Sequence, residues 1–121
     1  HYGAQILISH FTHKRLDHAR FKTRLIDLVK VKGKSEPVGV YEVLYSYHPF
    51  MKNPQAYDAF QKAYQLFIEK KFEMSIQLFD EILGIVPEDK ASKRLKASCE
   101  KWIENPPKEG EDHTITTMTE K

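Results

Sequence analysis

Cysteine is almost missing from this sequence. Cys99 is the only one in 121 residues, which excludes an internal disulfide framework and a thiolate metal site within one chain, and points to a reducing compartment. Long apolar runs are missing too: none approaches the ~20 residues needed to cross a bilayer, and no charged lead with an apolar core marks a secretory signal. Neither sign of charge prevails. Lys plus Arg is 19 against 17 for Asp plus Glu, and a net charge of +2 gives no electrostatic basis for a dedicated nucleic-acid or membrane-surface protein. The five glycines form no phosphate-cradling loop. What is present, 40% hydrophobic and 30% charged residues, describes a globular chain, expected to be cytoplasmic. Its length fits one domain or two small units and excludes a large multidomain enzyme.

The chain opens at His1, almost inside a strand-like run, Tyr2-Gly3-Ala4-Gln5-Ile6-Leu7-Ile8, so it reads as a fragment of something longer. Charge then divides it. Residues 1–50 carry 8 basic and 4 acidic side chains, net +4, and residues 51–121 carry 11 and 13, net −2. The segment Tyr47 to Pro54, with two prolines, lies between a strand-like half and a helix-like half. We therefore expect three parts: residues 1–47, a helical part over 48–105, and a flexible tail over 106–121.

In the first part, Ala4 to Ile8 is a strand, and Ser9 caps a short helix through Phe11, Thr12 and Leu16. Phe21 to Val31 is a second strand, with Phe21, Thr23, Leu25, Val29 and Val31 on one face and Lys22, Arg24, Lys30 and Lys32 on the other. Ile26, Asp27 and Leu28 interrupt that alternation. Lys32-Gly33-Lys34-Ser35-Glu36-Pro37 supplies turn chemistry, and Val38 to Tyr45 is a third strand. The pattern is β-α-β-β ending in a hairpin, and the fold class is α+β.

In the second part, Asn53-Pro54 opens a helix with the apolar stripe Ala56, Ala59, Phe60, Ala63, Tyr64 and Phe67. Lys70-Lys71 breaks it. Phe72, Ile76, Phe79, Ile82 and Leu83 mark a second helix that Gly84 is placed to end. Asp89 caps a third, with Ala91, Leu95, Ser98, Cys99 and Trp102 on one face and Pro106-Pro107 as its stop. Ala63, Phe72, Ser75, Phe79, Ile82 and Pro87 have a spacing that resembles one tetratricopeptide repeat and the start of another, with Ser75 where that family usually has Ala. A helical hairpin with an ordinary core reads the same way. A single repeat cannot bury both faces, so the third helix, the β part or another chain must complete it.

The first part carries the more specific signal. Asp27-x-Val29-x-Val31-Lys32-Gly33-Lys34-x-x-Pro37-Val38-x-x-Tyr41-Glu42, preceded by Tyr2 to Ser9, resembles the C-terminal end of a class III adenylate/guanylate cyclase domain over roughly residues 1 to 45. The helical extension is similar to C-terminal extensions of some bacterial members. The resemblance implies part of a ferredoxin-like α+β domain that dimerises head to tail and converts ATP or GTP to the cyclic monophosphate and pyrophosphate. It implies Mg²⁺ or Mn²⁺ in the parent enzyme, and matches Lys32 to the lysine that contacts the triphosphate, with Lys34 a second substrate contact on the turn. The family's metal-binding aspartates, base-selecting pair and Asn/Arg pair lie upstream of the segment matching His1. Asp17 and Asp27 do not match them. This fragment alone is therefore expected to be inactive, and a membrane anchor, if the parent has one, to lie in upstream segments.

Simpler readings stand beside these. Lys30, Lys32 and Lys34 would look the same on a solvated strand face. Asp27 suits a hydrogen bond to Arg24 or to a backbone N–H. His10, His13 and His18 lie close in sequence, but no carboxylate or cysteine completes a ligand set, so no metal is expected here. Cys99 and Trp102 read as core. A non-enzymatic tetratricopeptide-like scaffold for a peptide or protein partner is the alternative function, and nucleic-acid binding through the basic hairpin ranks last. Cut strands expose an edge and an apolar face, so the chain either folds its helices over that face or self-associates, as a homodimer in the simplest case.

Overall fold

A computed structural model describes residues 6–31 and 36–118. The fold is α+β, in two compact units: residues up to 46 together with those from 114, and residues 47–113.

The first unit is a sheet with one short helix. β1 (Ile6–Ser9) runs into α1 (His10–Arg15) through Ser9, whose Oγ accepts from the Thr12 N–H at 3.4 Å. His13, Lys14 and Arg15 fill the last turn, where the helix dipole favours cations. β2 (Lys22–Val31) and β3 (Val38–Leu44) pair antiparallel, and β3 also pairs antiparallel with β1. A fourth strand, β4 (Thr116–Met118), adds to the far edge of β2 in parallel, giving the order β1-β3-β2-β4.

One extra residue in β2 decides which side chains face where. The β2–β3 register shifts between Leu25 and Asp27, and because strand side chains alternate with period two, a single inserted residue swaps the faces beyond it. Thr23 and Leu25 stand opposite Val43 and Tyr41 on one face. Val29, expected beside them, is carried to the other face with Arg24, opposite Val38 and Glu42. Arg24 itself, placed by alternation among the lysines, is buried.

The second unit holds α2 (Pro49–Lys52), α3 (Pro54–Ile68), α4 (Phe72–Ile85) and α5 (Lys90–Glu104). Its core is a run of aromatic pairs, Phe50–Phe60–Phe79 and Phe60–Tyr64–Phe67–Phe72, edge-on except for the tilted Phe67–Phe72 pair, with centroids about 6 Å apart. α3 buries Ala56, Phe60, Ala63, Tyr64 and Phe67, the predicted stripe less Ala59. Lys70, at φ 67°, turns the chain in the left-handed region that Gly or Asn more often occupies. α4 does not stop at Gly84 but continues to Ile85, with Gly84 in helical conformation one residue before the end. α5 is capped by Asp89, whose carboxylate accepts from the Ser92 N–H at 3.2 Å and hydroxyl at 2.6 Å. α2, which the two prolines concealed, is capped by His48, whose Nδ1 accepts from the Phe50 N–H at 3.0 Å.

The segment after Pro106, expected as a flexible tail, contains ordered contacts. His113 is buried and donates from Nε2 to the Phe67 carbonyl at 2.7 Å, with the rings of Phe67, Phe72 and Trp102 edge-on around it. β4 follows three residues later. A strand of three residues has no periodicity to read, which is why the sequence shows a tail and not an element.

Candidate functional site

The predicted substrate contacts, Lys32 and Lys34, lie outside the described residues. The strands that lead to them are described. β2 arrives through Val29, Lys30 and Val31, and β3 leaves from Val38, which stands opposite Val29. Lys30 is exposed. On its other edge the same stretch pairs with β4, Val29 with Thr116, Lys30 with Thr117 and Val31 with Met118. The strand entering the lysine-rich turn is therefore held on both sides.

Two residues at the end of the Asp27–Glu42 string have well-defined surroundings. Glu42 Oε1 receives Arg24 Nε at 2.8 Å and Nη2 at 2.7 Å, with both side chains almost wholly excluded from water, a pair that sequence reading missed. Cross-strand register is what brings them together, and a period-two reading that puts Arg24 on a lysine face hides it. Tyr41, on the opposite face, stacks flat on His13, centroids 3.8 Å apart and planes within 8°. Asp27 accepts from the Leu28 N–H at 2.9 Å, a local backbone contact.

The three histidines gather at one end of this unit. His10 Nδ1 accepts from the buried Gly39 N–H at 3.3 Å, His13 Nε2 meets Thr23 Oγ1 at 3.1 Å, and His18 Nε2 donates to the His13 carbonyl at 2.9 Å. The His13 and His18 rings lie edge-on at 4.5 Å. Desolvation, with the neighbouring His18 second, holds His13 below the ordinary imidazole value. Gly39 permits this approach: a Cβ there would come within 3.2 Å of the Tyr41 ring and 3.6 Å of His10.

Among the described residues, no three His, Cys, Asp or Glu side chains are grouped to hold a metal ion. Burial pushes the Cys99 thiol up, against a hydrogen bond with Ser75 that acts in the opposite sense, so this cysteine is a poor nucleophile. No helix among the described residues is long and apolar enough to cross a membrane.

In the helical unit, Ser75 Oγ donates to the Ala63 carbonyl at 2.8 Å with both residues fully buried. This contact brings the α3 and α4 backbones close at the two small residues that spacing singled out. The chain matches no protein-family model, no curated protein and no solved structure.

Proposed function

We propose that this chain is the C-terminal part of a class III nucleotidyl cyclase, contributing the closing strands of the catalytic domain and a tetratricopeptide-like helical extension. The observation that carries the reading is the ordered string from Asp27 to Glu42, which spans the β2–β3 hairpin. The β1-α1-β2-β3 order, with β3 between two strands antiparallel to it, is compatible with one end of a ferredoxin-like domain. The close α3–α4 approach at Ala63 and Ser75 supports the helical half of the reading.

In this function the parent enzyme converts ATP, or GTP, to the cyclic 3′,5′-monophosphate and pyrophosphate as a homodimer. The ribose 3′-hydroxyl attacks the α-phosphorus, the bond to the pyrophosphate oxygen breaks, and negative charge gathers on the departing group. Lys32 places an ammonium against that charge, and Lys34 adds a weaker contact from the turn. A fixed cation acts without reorganising at the moment of reaction, so its effect falls on turnover more than on substrate binding.

The test is cyclic nucleotide formation by the parent protein, with Lys32→Ala compared at equal folded dimer. A loss of about 10²-fold is expected for one transition-state contact. An active parent indifferent to the change makes Lys32 a surface lysine. An inactive wild type shifts the reading to a non-enzymatic helical scaffold, which the exposed apolar residues Met74 and Ile85 of α4 favour as a protein-docking face.

A further inference from the structure

α1 is held to the sheet by imidazoles, and one of these contacts, that of His10, requires an unprotonated ring nitrogen. The sheet offers His10 a donor, the Gly39 N–H, and Nδ1 can accept it only while that nitrogen carries no proton. His13 lies flat on Tyr41 and reaches Thr23, so its ring lies over the sheet across β3 and β2. His18 closes the turn after α1 on the His13 carbonyl and faces the His13 ring at 4.5 Å. Three imidazoles thus make the polar contacts between α1, the turn that follows it, and the sheet face formed by Thr23, Leu25, Gly39 and Tyr41.

Among the described residues, little on that face would stabilise added positive charge. β1 carries no titratable side chain. From β3 only Tyr41 points this way, because Glu42 is one residue along and pairs with Arg24 on the other side of the sheet. From β2 the facing residues are Thr23, Leu25 and Leu28, and Asp27 lies on the opposite face. Residues 10–22 themselves bring Lys14, Arg15, Arg20 and Lys22 against the single acid Asp17, whose carboxylate accepts from the Ala19 N–H. An imidazolium over Tyr41 gains some attraction from the ring, but it forms beside a second imidazole and where the ring is partly desolvated.

We propose that α1 is a proton-operated clasp: protonation of His10 and His13 releases α1 from the sheet and opens the face formed by Leu25 and Tyr41. The inference is independent of the cyclase reading. The direction follows from linkage. His13 is held below its ordinary value in the folded chain, so between the folded and the unfolded value the open form binds more protons, and the closed form gains stability as pH rises. The stabilisation is complete above the unfolded imidazole value and is lost as pH falls through that value toward the lowered one.

Hydrogen exchange on the full chain, corrected for the intrinsic rate and compared at about pH 7.5 and about pH 5.5, tests this directly. The amides of α1 and of Gly39 should open about tenfold more readily per proton and pH unit, while α3–α5 serve as an internal control. In His10→Asn with His13→Gln, amide groups stand in for Nδ1 and Nε2 but do not titrate, and the pH response of those amides should flatten. Should the double variant be unfolded at both pH values, His10→Asn alone decides, through the Gly39 amide. Equal wild-type protection at the two pH values, or a variant that keeps the full response, would overturn the proposal.

Discussion

Arg24 and Glu42 show how much one pair of side chains can depend on its surroundings. Both are at most 1% exposed, and the carboxylate oxygen lies 2.7–2.8 Å from two guanidinium nitrogens. Lys96 and Asp80 also approach to 2.7 Å, but on the surface, where solvent already satisfies each charge and the pair adds little. Removing one member of the buried pair takes an opposite charge away from the other in a low-dielectric site. Glu42→Ala is therefore expected to destabilise the sheet unit by about 3–5 kcal/mol, whereas Arg24→Met with Glu42→Leu recovers most of that loss. A double-mutant cycle in denaturant measures it, and a single-variant cost no larger than that of Asp80→Ala would show that the pair is not buried in solution.

At the scale of the element, Ser75 is the informative position. Its hydroxyl bonds the Ala63 carbonyl across α3 and α4, and nothing larger fits where it is fully buried. Ser75→Ala removes the bond to the Ala63 carbonyl and the one with the Cys99 thiol but no packing, an expected loss of about 1–2 kcal/mol in thermal or denaturant unfolding. Ser75→Leu forces the helices apart, at an expected cost of roughly 1–3 kcal/mol or more. A leucine variant as stable as the alanine one would place the helices farther apart than described.

What could be read in advance follows from how local its cause is. The helices of the second unit were legible because their signals sit within a turn or two: the Ala63–Phe67 stripe, Pro54 at the first helical position, Asp89 as a cap. Ser9 was legible for the same reason. The swap of faces in β2 was not, although Ile26, Asp27 and Leu28 marked where the alternation fails. A bulge is visible as a broken pattern, but which residues it turns inward depends on the partner strand. Arg24–Glu42 and His113–Phe67 depend on residues 18 and 46 apart in sequence, and no periodicity joins them. Of the candidate site, the hairpin that carries it was read correctly as a hairpin, from the β-branched and aromatic residues of its second strand.

For the whole molecule, the decisive feature is that the sheet takes a strand from each side of the helical unit. Lys30 and Thr117 are register partners although the entire second unit lies between them in sequence. Thr117→Pro, in the middle of β4, removes a backbone donor and should loosen that strand, raising exchange at Val29–Val31 several-fold and leaving the α3–α5 amides as they are. Unchanged protection along β2 in that variant would mean that β4 contributes nothing to holding it.

The same arrangement sets an order of assembly during synthesis. β1, β2 and β3 are made before the helical unit and can pair with one another while the ribosome is still making α3, but the outer edge of β2 must wait for β4, which follows α5. Throughout that interval a bare strand edge is exposed in the nascent protein, open to any neighbouring extended chain, so the slowest codons and the holding chaperones would matter most between the third strand and the fourth.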